Sequence, residues 1–231
     1  MLMHNRHVKT FYLIDLDRTL LDTDHASQAL IDIVAAEDQA AAERVSSHLQ
    51  ETARFGSQYS LHDSLGTVLG TEWRDRVEAR FMAQREINQS LLLPGARQIL
   101  AFIESDRSTG GILTFGSLPG QTMKIKAVGL DDVPYLVTQQ PYKGRLIAEW
   151  HRSDGGFLLP AVYGAVLADE LILVDDRELS FDGLPEGALG YWVSEEVPSA
   201  LDAVPLPDRV RPMKNLEAVM NAEVDRVRRT Y

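Results

Sequence analysis

The sequence holds no cysteine among its 231 residues, which removes disulfides, thiolate metal sites and cysteine nucleophiles together. Long apolar runs are also missing: no segment is apolar for long enough to cross a bilayer, and the opening residues lack the apolar core of a secretory signal. A cytoplasmic protein with no membrane partner is the expectation. Basic residues are the scarcer charge, 23 Lys and Arg against 34 Asp and Glu for a net charge of −11. That balance argues against a broad nucleic-acid or anionic-membrane surface. It leaves room for a small anion in a locally positive pocket. Proline is absent from 24–89, although the chain has ten in all. The length suits one generous domain, or a core with an insertion.

What is present begins with Thr10-Phe11-Tyr12-Leu13-Ile14-Asp15-Leu16-Asp17-Arg18-Thr19-Leu20-Leu21-Asp22, an apolar, aromatic-rich run that ends abruptly in carboxylates. On a strand, Asp15 and Asp17 project to one side and Leu16 to the other. Two crowded carboxylates raise each other's pKa unless a cation neutralises them. Mg²⁺, which prefers oxygen ligands, is the simplest remedy. A strand running into a polar turn explains the same residues without any chemistry, and the segment alone does not separate the two.

The proline-free stretch reads as almost entirely helical. Ala29, Leu30, Ile33, Val34, Ala41, Val45 and Leu49 form one apolar stripe. A break follows at Arg54-Phe55-Gly56-Ser57-Gln58-Tyr59-Ser60, and a second helix runs from Thr71, a candidate N-cap, through Ile87. From Leu93-Pro94-Gly95 onward, short apolar runs alternate with helical patterns, the signature of βαβ units. The strand candidates are 111–115, 134–138, 171–175 and 189–193. Helices are expected from Pro94 onward, over 121–128 and over 156–167. The segment 197–212 reads as a surface connection before a terminal amphipathic helix. The fold class expected is α/β: a Rossmann-like parallel sheet flanked by helices, formed by 1–22 and 91–231 and interrupted by an all-helical cap over 23–90.

In open α/β sheets, ligands bind outside the carboxyl ends of the strands. Strand one ends in Asp15 and Asp17, the next in Thr114-Phe115-Gly116-Ser117, and a later one in Asp175-Asp176, with Lys143 in a loop between the last two. Carboxylates, a hydroxyl and a lysine at one sheet edge suit phosphoryl transfer. Asp15 can attack phosphorus, and Asp17 can protonate the leaving oxygen and then activate water. Thr114, with backbone N–H groups at Phe115 and Gly116, can hold the phosphoryl oxygens, and Lys143 can offset their charge. Asp175 and Asp176 can complete a Mg²⁺ shell.

This constellation resembles the haloacid dehalogenase (HAD) superfamily of hydrolases over about residues 10–194, with Asp15-Leu16-Asp17-Arg18-Thr19, Thr114, Lys143 and Asp175-Asp176 as its four motifs. The resemblance implies Asp15 as nucleophile and Mg²⁺ ligand. It implies Asp17 as acid/base with its carbonyl on the metal, and Thr114 and Lys143 as phosphate binders. It implies Asp176 as the direct metal ligand and Asp175 as an indirect one, or the reverse. The helical insertion resembles the superfamily's C1 type of cap. Arg18 stands where relatives often carry glycine, either facing outward, the favoured reading, or shaping the entrance.

The expected activity is Mg²⁺-dependent hydrolysis of a small phosphorylated metabolite through an aspartyl-phosphate, by a monomer or homodimer. Asp17 favours this over dehalogenation, since the superfamily's dehalogenases lack an aspartate there. A phosphomutase or other phosphotransferase shares the same core, and a non-catalytic binding protein of the same fold is the alternative from another class. Lys124 and Lys126 compete with Lys143 but read as a solvated helix face. No two of His25, His48, His62 and His151 share an i, i+4 helix face, so they read as solvated or hydrogen-bonded, His25 carrying a weak suggestion of a hinge or substrate contact. Arg54 and Tyr59 are weaker substrate-contact candidates.

Overall fold

The computed structural model describes residues 6–54, 61–105, 109–194 and 206–229. Strand β1 (His7–Ile14) places Phe11 and Leu13 in one apolar core and Tyr12 and Ile14 in the other. A strand buried on both faces belongs in the middle of a parallel sheet, and β1 lies there. The chain then leaves the sheet for five helices: α1 (Thr23–Ala35), α2 (Gln39–Arg54), α3 (Leu61–Leu69), α4 (Thr71–Ala83) and α5 (Arg85–Asn88). Asp22 caps α1 by accepting from the His25 backbone N–H at 3.0 Å, which satisfies one of the orphan donors of the first turn. The chain returns beside its own departure, Asp22 N–H donating to Leu91 O and Leu93 N–H to Leu20 O, both at 2.8 Å.

The remaining elements are α6 (Ala96–Ser105), β2 (Thr109–Phe115), α7 (Leu118–Ala127), β3 (Tyr135–Thr138), α8 (Lys143–Ala148), β4 (Phe157–Leu158), β5 (Leu167–Asp175), β6 (Ala188–Val193), β7 (Val210–Met213) and α9 (Leu216–Arg229). The sheet order is β3-β2-β1-β5-β6-β7, all parallel, with short β4 antiparallel against β5. One core lies between the sheet and a layer that includes the inserted helices, α6, α7 and α9; the other covers the opposite face. The α/β class and its helical interruption are as expected from the sequence.

Several local expectations are corrected. No helix spans 156–167: Gly155 and Gly156 adopt left-handed φ values, Phe157 and Leu158 pair with β5, and Gly164 ends a single 3-10 turn in the left-handed region. Three glycines and a proline break whatever periodicity the apolar residues offer. Of the connection expected over 197–212, residues 197–205 lie outside the described residues and its end enters β7, an edge strand where Pro212 is tolerated because one side of its backbone needs no partner. Gly70 rather than Thr71 is the N-cap of α4, and α6 begins at Ala96, after Pro94. Tyr59, Gly56 and the side chain of Arg54 lie outside the described residues. No helix among the described residues is long and apolar enough to cross a membrane.

Candidate active site

The site forms where β1, β2 and β5 end together. Asp15 follows the last residue of β1, and its N–H donates to Val174 O at 2.9 Å, which sets it beside the end of β5 where Asp175 and Asp176 follow. Lys143, expected in a loop, is the first residue of α8 and is buried. Gly144 makes that placement possible. A Cβ there would meet Asp182 O at 2.6 Å and Leu184 N at 2.7 Å, so only glycine lets α8 pack this closely on the turn after β5.

The Lys143 ammonium donates to Asp15 Oδ1 at 2.5 Å and to Asp175 Oδ2 at 2.6 Å. Asp175 is 0% exposed, and its second oxygen accepts the Arg177 N–H at 2.9 Å. Both its oxygens are therefore engaged, which fits an indirect role at a metal. The Asp176 carboxylate lines the cavity, and its only hydrogen bond among the described residues is at the backbone, where its carbonyl accepts from Trp192 Nε1 at 2.9 Å. Carboxylate oxygens of Asp15, Asp175 and Asp176 lie within 4.8 Å of one another. Such a hard-oxygen cluster is the donor set Mg²⁺ takes.

The electrostatics match that crowding. Burial pushes Asp15 well above the usual carboxylate range; Lys143 opposes the shift, and Asp175, Asp17 and Asp176 reinforce it. Burial and then Asp175 push Asp176 up to about 7. Lys143 is raised despite its burial, because Asp15 and Asp175 hold its proton. The cluster thus carries more carboxylate than one ammonium neutralises, and a divalent cation would relieve it.

Asp17 sits differently. It accepts from Lys124 Nζ at 2.7 Å and Thr23 Oγ1 at 2.8 Å on one oxygen, and from Gln121 Nε2 at 2.7 Å on the other. Burial alone would raise its pKa, but Lys124 and these hydrogen bonds outweigh it and hold the carboxyl below its ordinary value. Lys124 is therefore not a solvated residue. It reaches the cavity from α7, while Lys126 is exposed as expected. Gln121 also donates to Phe115 O at 2.7 Å, tying the loop after β1 to the end of β2.

The cavity encloses about 520 Å³ and is lined by Asp15, Asp17, Lys143 and Asp176 together with Phe115, Gly116 and Ser117. Thr114 stands just behind it, 0% exposed, its hydroxyl without a partner among the described residues; the Ser117 hydroxyl is likewise buried and unpaired among them. Unsatisfied buried hydroxyls beside a cavity are the donors an anion would use. The Gly116 N–H, expected to face phosphate, instead donates to Thr138 O at 3.0 Å. Phe115 closes β2. Thr23, Ser27, Leu49 and Leu61 of the insertion complete the wall.

Sequence reasoning missed Gln121, Lys124 and Arg177. Gln121 and Lys124 are three apart on the helix after β2, which places both on one face above the sheet edge, a signal that was available. Arg18, at φ 58°, is exposed, donates to Asp24 at 3.0 Å and lines the cavity. His25 is exposed on Asp22, His62 is buried against Glu78 at 2.8 Å, His48 pairs with Ser64 and His151 meets Phe157 edge-to-face.

No family model and no curated protein matches the sequence. Solved structures do match the fold. A protein described as a haloacid dehalogenase-like hydrolase of Burkholderia xenovorans LB400 superimposes with a TM-score of 0.66 at 18% identity, over 94% of this chain and 98% of that one. A HAD-hydrolase of Bacillus subtilis, YfnB, solved with magnesium bound, gives 0.56 at 14% identity over 94% and 99%. A 2-haloacid dehalogenase of Pseudomonas syringae pv. Tomato gives 0.52 at 18% identity over 94% and 99%. The chain shares the fold of these proteins.

Proposed function

We propose that this chain, which has the fold of the HAD superfamily hydrolases, is a Mg²⁺-dependent phosphomonoesterase acting through an aspartyl-phosphate on Asp15. One observation carries the reading: Asp15 and Asp17 after β1, Lys143 at the start of α8 and Asp176 after β5 line a single cavity. Asp15 and Asp176 are the residues suited to hold Mg²⁺, with Asp175 supporting them; when bound, the ion supplies charge neutralisation to the attacking and transferring groups.

The Asp15 carboxylate attacks phosphorus and becomes phosphorylated, forming an acyl phosphate, as the P–O bond to the leaving alcohol breaks. Lys143, already donating to Asp15, offsets the charge of the transferring oxygens. The unpaired hydroxyls of Thr114 and Ser117 are available to the same oxygens. Asp17 is held as an anion, the form that takes a proton from water when the acyl phosphate is hydrolysed. In the first half-reaction it must carry a proton to help an alkoxide leave. Esters with good leaving groups should therefore turn over most readily. The inserted helices, which supply Thr23, Ser27, Leu49 and Leu61 to the wall, act in this reading as the cap that closes on substrate.

Hydrolysis of an aryl phosphate with and without Mg²⁺ tests the proposal. Mg²⁺-dependent release of phosphate is expected. Failure on a broad panel of phosphate esters, or halide release from 2-haloacids instead, would replace it.

A further inference from the structure

The cavity holds more positive charge than the phosphoryl chemistry uses. Four of its lining residues are basic, Arg18, Lys124, Lys143 and Arg177, against three acidic ones, Asp15, Asp17 and Asp176, in a chain whose net charge is −11. Lys143 is engaged with Asp15 and Asp175, and Lys124 with Asp17, at 2.5–2.7 Å. Arg18 and Arg177 have no such duty in the reacting set.

Arg177 follows Asp176 directly. Its guanidinium lies 5.7 Å from the centroid of the Phe115 ring, and it forms no ion pair among the described residues. At that distance the ring face attracts the cation without occupying its N–H groups, which can still meet a bidentate anion. Arg18 follows Asp17 and lines the same cavity from the neighbouring strand end. It holds a left-handed φ of 58°, which a long side chain adopts only at a cost. Backbone outliers of this kind gather at ligand-binding positions. Its one carboxylate partner among the described residues, Asp24, is itself exposed, so a substrate anion can compete for it. Leu49 and Leu61 give the same cavity an apolar stretch of wall.

We infer that Arg18 and Arg177 recognise a second anionic group, carboxylate or phosphate, on the leaving-group side of the substrate. The class of substrate is then a small phosphate monoester whose alcohol is itself anionic. This rests on the phosphatase reading and adds specificity to it. A long apolar or cationic leaving group would offer the two arginines no anion and be disfavoured.

Matched esters test it. O-phosphoserine against O-phosphoethanolamine isolates a carboxylate, and fructose 1,6-bisphosphate against fructose 1-phosphate isolates a second phosphate. The wild type is expected to prefer one anionic member by about ten- to a hundredfold in kcat/KM, as charge-assisted hydrogen bonds allow. That preference should sit mainly in KM and shrink with added salt, because both arginines are solvent-accessible. In Arg177→Gln, and in Arg18→Gly, which also relaxes the backbone, the ratio should fall toward one. Equal turnover within both pairs by an enzyme that hydrolyses aryl phosphate overturns this inference and leaves the phosphatase reading intact. So does a preference that both variants retain. If no phosphate ester is hydrolysed, the phosphatase reading fails and takes this inference with it.

Discussion

Two clusters of buried carboxylate sit against the same strands, and they are built to opposite ends. At the strand termini, Asp15, Asp175 and Asp176 share one lysine, and two of them are pushed upward in pKa by burial and by each other. Elsewhere on the sheet, Glu223 of α9 is 1% exposed yet fully served. Tyr12 and Tyr191 donate to it at 2.5 and 2.6 Å, and Arg226 donates through Nε at 2.9 Å and through a second nitrogen at 2.8 Å. Burial and the nearby Glu223 raise both tyrosines, so they stay protonated donors. A buried carboxylate with every lone pair occupied fastens a helix to a sheet. Carboxylates crowded together without enough donors mark a place where a cation and a substrate belong.

The contrast breaks most sharply by substitution. Asp15→Asn should abolish phosphatase activity, on the order of 10⁴-fold, while removing a repelled charge and leaving thermal stability unchanged or higher. A large stability loss would make Asp15 structural. Glu223→Ala should do the reverse, leaving the buried Tyr12 and Tyr191 hydroxyls without their acceptor and Arg226 with one carboxylate fewer beside Glu170, at a cost of roughly 3–5 kcal/mol, seen as a fall in Tm of roughly ten degrees. Its kcat, measured well below the new Tm, should hold; a fall in kcat with Tm intact would erase the distinction.

Lys124→Met frees Asp17 and should lower kcat by about ten- to a hundredfold, within the range of acid–base contributions. Lys126→Met, on the exposed face, should change neither kcat nor Tm measurably. Equal effects of the two would return Lys124 to the solvated face. The smallest effect concerns pH. A carboxyl raised to about 7 in the folded state, as Asp176 is, binds more protons folded than unfolded. Its stabilising contribution is present below the unfolded value and is lost as pH rises through about 7. Without Mg²⁺, Tm should therefore drop between pH 5 and 8 by a margin that Asp176→Asn removes, and added Mg²⁺ should raise Tm more at pH 8 than at pH 5. Equal Mg²⁺ shifts at both pH values would contradict this.

The sequence carried the sheet well wherever strands are buried on both faces, because runs such as Leu171-Ile172-Leu173-Val174 have no other economical use. It failed on β7, an edge strand containing Pro212, and on 156–167, where apolar residues suggest a helix that Gly155, Gly156 and Gly164 break. The reacting residues were legible because strand ends point at one edge of the sheet. Lys124 was legible only through its partner: neighbouring helix positions differ by about 100°, so Lys124 and Lys126 face opposite ways, and only the i, i+3 spacing to Gln121 says which of the two turns toward the sheet edge. The engagement of Gly116 with Thr138 depends on how β2 meets β3, which no local pattern encodes.

The central claim is a covalent phosphoryl group on Asp15. Rapid quenching of the Asp17→Asn variant with an aryl phosphate and Mg²⁺, followed by intact-mass and peptide analysis, tests it most directly. The leaving group departs without an acid while the base for the second step is gone. The account predicts one added phosphoryl group per chain, located on Asp15 and absent from a variant that also carries Asp15→Asn. An unmodified chain, or phosphorylation at another residue, would contradict it.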